Sequence, residues 1–263
     1  MASPRLCAWK LEGPATRVRL GEKSAMTMSK LRILGKNPVQ WFYESIRRFG
    51  LAQTLTIMWS VVVDAWFDFY YGTDTARRIP RQEIETDSEN IVHCVNYGAS
   101  KAMPFLRLMR RLHLPADGVF VDLGSGKGRA VMLAAKYGFR KVIGIEFSAA
   151  LCRQARLNLE LFLRRCPSRS QIEIIESDVT QYRLRDDETV FFMLDPFNAP
   201  VLAQVLENIR ASVERQPRTI WLIYSVPREQ QVIDQAGLFV QNQLHVVVGA
   251  EFRVYSNEPT VKG

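Results

Sequence analysis

The sequence predicts an α/β fold in which a doubly wound sheet of seven strands ends in an antiparallel strand. From Val119 onward, apolar segments of strand length alternate with segments of helical periodicity, a pattern typical of βαβ units and a mostly parallel sheet. Only Gly249 and Ala250 join the last two apolar runs, which leaves no room for a crossover helix and favours an antiparallel hairpin. The 263 residues, 47% of them hydrophobic, suffice for one such domain with an N-terminal addition.

We expect three parts along the chain. Charged residues such as Arg5, Lys10 and Glu12 interrupt the apolar residues at the N-terminus, so no signal peptide is indicated and we expect disorder there. The middle part combines aromatic helices with a polar connector, and the last part contains the alternating strands and helices. The predicted boundaries are 1–26 for the disordered part, 27–100 for a cap of helices and loops, and 101–263 for the catalytic domain.

The aromatic segment 37–69 has helical periodicity and contains the one candidate for a membrane contact. Its uncharged stretch runs only from Leu51 to Val63, which is shorter than the roughly 20 residues that a transmembrane helix needs. The segment therefore indicates core or lid helices, with a peripheral membrane contact as the alternative. A polar connector follows, broken by Gly72, Pro80 and Gly98, and a loop of this length is typical of a lid.

The catalytic domain is predicted to begin with a helix that Ser100 caps and that ends near Leu114. Strands and helices then alternate to the end of the chain. The predicted strands are "GVFVDL", "KVIGIEF", "QIEIIES", "TVFFMLD", "RTIWLIYSV" and the two runs of the hairpin; the predicted helices start at Lys127 or span Ser148 to Arg165, Ala199 to Val213 and Arg228 to Ala236.

Composition limits the partners without selecting one. The 35 Lys and Arg residues exceed the 27 Asp and Glu residues and give a net charge of +8, which suits acidic partners such as nucleic acid but does not require them. The four cysteines lack CxxC pairing, so neither a zinc site nor a disulfide framework is indicated, and we expect a cytoplasmic protein without a metal. The oligomeric state is not predicted.

The segment "VFVDLGSGKGRAVMLAA" is a glycine loop between a strand and a helix, and its residues exclude two nucleotide classes. An ATPase loop would need a glycine at Val121 and a hydroxyl residue at Gly128. A dinucleotide fingerprint that starts at Gly124 would need its third glycine at Arg129. What remains is an acidic residue, Asp122, followed by glycines at alternate positions.

Further carboxylates follow the next strands of the predicted sheet. Glu146 ends the second strand, Asp178 follows the third, and Asp195 follows the fourth. Each of them alone is compatible with a surface or capping role. Together they lie at the carboxyl ends of successive parallel strands, the edge at which doubly wound sheets bind ligands.

These motifs resemble the class I, Rossmann-like methyltransferases that use S-adenosyl-L-methionine. With "FDFYYGTDT", "NYGAS" and "LDPF", the chain is similar to a bacterial branch related to the seven-strand, non-SET protein lysine methyltransferases. The resemblance implies that the glycine loop receives the methionyl part of the cofactor and that an upstream tyrosine segment folds over it. The cofactor residues that it implies are Tyr97, Asp122, Gly124, Ser125, Gly126, Gly128, Glu146 and Asp178, with Asp122 on the ammonium, Glu146 on the ribose and Asp178 on the adenine amine.

The methyl acceptor is predicted from the loop after the fourth strand. Asp195-Pro196-Phe197 resembles the [ND]-P-P-[YF] loop of amino methyltransferases but lacks the second proline, which argues against planar base amines. A lysine instead needs an aromatic pocket that favours its neutral amine, and Phe197 and Tyr97 can contribute to one. We therefore expect N-methylation of a protein lysine, with Asp195 and Phe197 as catalytic residues. The alternatives are a small-molecule or nucleic-acid methyltransferase, or a non-catalytic nucleotide-fold module.

Overall fold

The computed structural model of the chain describes residues 38–80 and 97–258. The disorder predicted for 1–26, the start of the predicted cap and most of its polar connector lie outside the described residues. The chain forms two compact units, 1–59 and 60–263, so the boundary between units lies inside the predicted cap of residues 27–100. The division at residue 100 stays a prediction.

In the first unit, the described residues are helical, as the aromatic pattern predicts. Helix α1 is Pro38–Phe49, and helix α2, Leu51–Tyr71, begins in this unit and continues into the second. Gly50 separates the two helices with a φ of +79°, in the left-handed region that favours glycine. No helix among the described residues has the length and apolar character of a membrane span.

The second unit contains a sheet of seven strands in the order β3-β2-β1-β4-β5-β7-β6. The pairs among β1 to β5 are parallel, and β7 is antiparallel to both of its neighbours. The predicted seven-strand sheet with its antiparallel last strand is confirmed. The strands are β1 Val119–Leu123, β2 Lys141–Glu146, β3 Gln171–Glu176, β4 Glu188–Leu194, β5 Trp221–Ser225, β6 Gln241–Val247 and β7 Ala250–Ser256.

Helices connect the parallel strands of the second unit. The helix after β1 is apolar and almost entirely buried, whereas the others bury one face. They are α3 Ala102–Leu112, α4 Arg129–Tyr137, α5 Ala149–Arg165, α6 Ala199–Arg215 and α7 Gln230–Ala236.

The strand order places a binding crevice beside β1. The chain moves from β1 to β2 and β3 on one side and then returns to β4 on the other, so the order reverses between β1 and β4. Asp122 pairs with Gly144 of β2 and Phe192 of β4, near the carboxyl end of β1. Doubly wound sheets bind ligands at this switch point.

The prediction that Ser100 caps α3 is wrong. Lys101 occupies the N-cap position, and no side-chain cap is formed there. Instead, the Asp64 carboxylate of α2 accepts a hydrogen bond from the Ala102 amide at 2.7 Å. Asp64, 38 positions earlier in the chain, thus supplies the hydrogen-bond acceptor that the first turn of α3 needs. Capping rules consider only residues next to the helix start and therefore do not predict this partner.

The guanidinium of Arg129, at the start of α4, connects several segments inside the second unit. Its side chain is 3% exposed, and it lies 3.1 Å from Asp68 and 3.7 Å from Asp64. Its Nε donates to the Thr75 hydroxyl at 2.5 Å, and the guanidinium lies 4.9 Å from the centroid of the Phe67 ring. One buried cation therefore binds the end of α2 and the following turn to the helix that extends the glycine loop.

The Asp68 carboxylate organises the turn after α2. It accepts hydrogen bonds from the hydroxyls of Thr73 and Thr75 and from the amides of Thr75 and Ala76. Burial alone would raise the pKa of Asp68, but the Arg129 charge and these donors outweigh burial and lower it. Asp68 therefore stays ionised beside Arg129.

Asn158 attaches the same turn to the glycine loop. Its amide oxygen accepts from the Asp74 amide at 2.9 Å, and its amide nitrogen donates to the carbonyls of Asp74 and Lys127. The Lys127 ammonium in turn lies 3.0 Å from the Asp74 carboxylate. The segment 73–76 is thus fixed to the loop by both neutral and charged contacts.

We expect Arg129→Met to lower the free energy of unfolding by about 3 kcal/mol, because it leaves Asp64 and Asp68 largely buried without their cation. The control is Arg140→Ala, which removes an arginine from a half-exposed ion pair with Asp187 and should cost no more than about 1 kcal/mol. Urea denaturation measures both. Equal losses in the two variants would show that the Arg129 contacts carry no special weight.

Candidate functional site

The glycine loop makes a tight turn from β1 into α4. The amides of Gly124 and Ser125 both donate to the Ile145 carbonyl of β2, at 3.0 and 2.9 Å. Gly124 and Gly126 have φ values of +81° and +53°, in the left-handed region. A Cβ built at Gly124 would lie 2.9 Å from Pro196, so a close neighbour as well as the backbone requires glycine at this position.

Tyr97 packs directly on Gly126. A Cβ at Gly126 would lie 2.2 Å from the Tyr97 ring, closer than atoms can approach. The Tyr97 hydroxyl donates to the Thr75 carbonyl at 2.8 Å, and the Lys127 ammonium lies 5.6 Å from the ring centroid. The structure therefore places the predicted tyrosine on the glycine loop, while its contact with the cofactor stays a prediction.

Glu146 ends β2 and reaches into the glycine loop. One carboxylate oxygen accepts from the Gly126 amide at 2.8 Å, and the other accepts from the Ser148 amide at 3.0 Å. Burial raises the pKa of Glu146 to about 7, although these amides act in the opposite direction. The Phe147 amide also donates to this carboxylate, which retains acceptor capacity for a ribose hydroxyl.

Asp122 is buried near Glu146. Burial, together with the Glu146 charge, raises the pKa of Asp122 to about 8. Two acidic groups in such a place ionise fully only when a cation or a set of donors compensates them. The pair is therefore suited to a ligand that brings an ammonium group and hydroxyl donors.

A cleft adjoins the Glu146 carboxylate. Asp178 lines it, and the Asp178 carboxylate accepts from both the amide and the hydroxyl of Thr180. Phe197, which was predicted to be catalytic, lines the same cleft as the predicted cofactor residues and packs into the apolar cluster beneath α6. The cleft is formed by Gly124, Ile145, Glu146, Phe147, Ser177, Asp178, Val179, Phe197 and Val201.

Two of the predicted cofactor residues have evident packing roles. The Ser125 side chain lies against β2, where a Cβ at Gly144 would come within 2.8 Å of its hydroxyl. Gly128 faces Ala155 of α5, whose Cβ would lie 3.3 Å from a Cβ at Gly128. These contacts explain the small residues by loop and helix packing, and a cofactor contact is not needed to account for them.

Asp195 follows β4 at the same edge of the sheet, and its carboxylate already has partners. The Tyr224 hydroxyl donates to Oδ1 at 2.6 Å, and the Arg228 guanidinium forms an ion pair with Oδ2. Asp195 and Val226 have φ values of +43° and +56°, which cost about 1 to 3 kcal/mol each for residues other than glycine. Strain of this kind is concentrated at functional sites, and here it lies at the ends of two adjacent strands, β4 and β5.

Sequence reasoning missed the residues that support the site. Arg129 served only to exclude a dinucleotide loop, and the partners of Asp195 were not predicted. A usable signal for Arg129 is its charge within the otherwise apolar segment "RAVMLAA". The missed residues are Asp64, Asp68, Asp74, Thr75, Arg129, Asn158, Tyr224 and Arg228.

The residues present fit S-adenosyl-L-methionine. The Asp122 and Glu146 carboxylates suit an ammonium group and two ribose hydroxyls, and the cleft beside Glu146 is partly apolar. Asp178 lies where it can accept from an exocyclic amine.

Comparisons with known proteins agree with this fit. Residues 90–182 match the family described as Histone methylation protein DOT1, and the match includes the glycine loop, Glu146 and Asp178. No curated protein sequence matches the chain. The cofactor is S-adenosyl-L-methionine.

Solved structures with a similar fold come from several organisms. A candidate S-adenosyl-L-methionine-dependent methyltransferase from Methanococcus maripaludis is 14% identical, with a TM-score of 0.46 over 62% of this chain and 88% of that chain. A SAM-dependent methyltransferase from Aquifex aeolicus is 14% identical, with a TM-score of 0.45 over 58% and 88%. A candidate RNA methyltransferase from Pyrococcus horikoshii is 17% identical, with a TM-score of 0.41 over 59% and 82%. These similarities do not indicate the methyl acceptor.

We expect Gly126→Ala to abolish binding of S-adenosylhomocysteine, because the new methyl group must displace the Tyr97 ring. Gly237→Ala is the matched control, since Gly237 also has a left-handed φ, +62°, but no atom lies within 4 Å of a Cβ there. Calorimetric titration compares the two variants. Normal binding by Gly126→Ala would show that the position of Tyr97 is not needed for the cofactor.

The affinity for S-adenosylhomocysteine should rise between pH 6 and pH 8.5. Its ammonium group binds the ionised form of Asp122, whose pKa is about 8, so binding releases protons. Titrations in buffers with different ionisation enthalpies measure that release. Asp122→Asn should weaken binding and flatten the pH profile, and an unchanged profile in this variant would contradict the assigned role of Asp122.

The same substitution should stabilise the protein without cofactor. An acid whose pKa is higher in the folded than in the unfolded state makes the free energy of unfolding fall as the pH rises, here from about 4 to about 8. Asp122→Asn removes that loss, so its melting temperature should exceed that of the wild type at pH 8 but not at pH 4.

Proposed function

We propose that this chain, an S-adenosyl-L-methionine-dependent methyltransferase, methylates the side-chain amine of a lysine in a protein. The alternative of a non-catalytic module does not agree with a methyltransferase. The observation that carries the proposal is the Asp195 carboxylate, which is buried at the carboxyl edge of the sheet beside the glycine loop and holds a cation. An anion in this place suits a cationic side chain as acceptor.

The loop that holds Asp195 adjoins the cofactor cleft. Pro196 contacts Gly124, and Phe197 lines the cleft itself. An acceptor nitrogen held by Asp195 would therefore approach the cofactor from the β4 side of the crevice. Alignment of the nucleophile with the methyl group is the main requirement of a direct displacement.

Bound S-adenosyl-L-methionine supplies an electrophilic methyl group on a sulfonium. The lysine ammonium, with an ordinary pKa of about 10.4, must first release a proton to become a nucleophile. Partial burial near Phe197 would lower the pKa of that ammonium, whereas the Asp195 charge would raise it; Asp195 orients the nitrogen by accepting a hydrogen bond from one of its N–H groups. The released proton passes to solvent water, and the neutral amine held at Asp195 would take the methyl group as the C–S bond breaks with both electrons going to sulfur, so that the methylated amine would leave as a cation.

The departure from the [ND]-P-P-[YF] loop also supports a flexible acceptor. Phe197 follows Pro196 directly, and its ring packs into the apolar cluster rather than standing free at the loop surface. A planar base would need an aromatic face to stack against. A lysine needs only an opening that admits its narrow alkyl chain.

Transfer of a labelled methyl group tests the acceptor class. The full chain is incubated with methyl-labelled cofactor and cell lysate, and the products are treated with protease or with nuclease. We expect protease to release the label and acid hydrolysis to yield methyl-lysine. Label that only nuclease releases, or label in small molecules, would replace the lysine proposal by one of the two alternative acceptors.

Asp195→Ala should lower turnover at least about 100-fold while changing cofactor affinity little, because its contacts with the acceptor matter chiefly in the transition state. The control is Asp187→Ala, which removes a carboxylate from a half-exposed ion pair at the start of β4. Methyl transfer, cofactor affinity and melting temperature are measured on each variant. A folded Asp195→Ala protein with wild-type turnover would contradict the catalytic role.

A further inference from the structure

The two partners of the Asp195 carboxylate differ in how firmly they are held. Tyr224 belongs to β5, is buried, and uses its hydroxyl both to donate to Asp195 and to accept from the Glu229 amide at 3.2 Å. Rotating it away would break two hydrogen bonds inside the sheet edge. Tyr224 is therefore a permanent partner of Asp195.

Arg228 is bound quite differently. Its side chain is 62% exposed, whereas that of Asp195 is 6% exposed, so the guanidinium reaches a buried anion from the solvent side. Arg228 lies outside α7 and β5, and no other ion pair of Arg228 is found among the described residues. The guanidinium can consequently leave Asp195 for water with little loss of packing.

The backbone directs Arg228 to this place. The Val226 amide donates to the Glu251 carbonyl of β7, and the Arg228 amide donates to the Val226 carbonyl across the turn. The left-handed φ of Val226 is unfavourable for a β-branched side chain and requires such support. A strained turn that brings an exposed arginine onto a buried aspartate at the ligand edge of the sheet indicates a selected feature.

We propose that Arg228 is the specificity residue of the acceptor site, because its guanidinium neutralises Asp195 until a cationic acceptor side chain takes its place. A lysine ammonium can replace the guanidinium without changing the net charge at Asp195, because each carries one positive charge. A neutral acceptor would leave the buried carboxylate uncompensated, and an acidic one would be repelled. The proposal rests on the proposed function, in that Asp195 faces the acceptor.

Binding of two lysine-sized probes tests this exchange without requiring turnover. Nα-acetyl-lysine methylamide and its neutral counterpart, Nα-acetyl-norleucine methylamide, are titrated into the full chain saturated with S-adenosylhomocysteine. Arg228→Gln removes the competing cation and should tighten binding of the lysine probe about fivefold, the strength of one partly exposed ion pair. It should leave the norleucine probe unaffected.

Two control variants separate exchange from general electrostatics. Arg228→Lys keeps a cation at the site and should bind both probes as the wild type does. Arg107→Gln removes an exposed charge of α3 and should also match the wild type. Because Arg228→Gln leaves the buried Asp195 carboxylate without its cation, its melting temperature should fall, and probe binding is measured at a temperature at which this variant and Arg228→Ala are folded.

The outcomes distinguish the two proposals. Unchanged or weaker binding of the lysine probe by Arg228→Gln, or equal tightening of both probes, overturns the exchange. If the exchange is found but labelled lysate contains no methyl-lysine, the lysine function fails while cation selection at Asp195 stands. If methyl-lysine is found in the lysate but Arg228→Gln has no effect on probe binding, the lysine function stands and the exchange at Asp195 is wrong.

Discussion

The guanidinium of Arg129 is the contact on which the cofactor site depends. It lies between Asp64 and Asp68 of α2, contacts the turn through Thr75, and belongs to the first residue of the helix after the glycine loop. Because Gly128 and Arg129 are adjacent, the loop cannot shift without moving this buried charge. The free energy lost on separating a buried cation from two carboxylates therefore helps to fix the geometry of the loop, together with the Lys127–Asp74 ion pair.

Two sets of buried ionisable groups have different roles: the groups around Arg129, and the pair Asp122 and Glu146. Around Arg129, one cation lies between two carboxylates; burial raises the pKa of Asp64, whereas the Arg129 charge and hydrogen bonds outweigh burial at Asp68 and lower its pKa. Burial raises the pKa of both Asp122 and Glu146, and the Glu146 charge raises that of Asp122 further. The first set stabilises the fold, while burial of the two acids of the second set lowers the free energy of unfolding of the protein without cofactor. A cofactor with an ammonium group returns that free energy as affinity.

The sequence predicted what depends on local pattern. The alternation of strands and helices, the hairpin and the glycine loop follow from spacing along the chain, and Glu146 and Asp178 follow from their positions at strand ends. The sequence did not predict contacts between distant segments, such as Asp64 with Ala102 or Asn158 with Asp74, because no local period records which helix a side chain meets. The wrong cap at Ser100 has this origin.

The same limit applies to the acceptor edge, where Asp195 was foreseen and its partners were not. In the proposed reaction, one positive charge moves from sulfur to nitrogen, so the carboxylate beside the nitrogen must carry its full charge at that moment. A fixed arginine would cancel that charge and reduce the advantage of the transition state over the ground state. An arginine held from the solvent side can protect a buried anion at rest and still leave it available during transfer. The exposure of Arg228 is therefore as important to the proposed mechanism as the burial of Asp195.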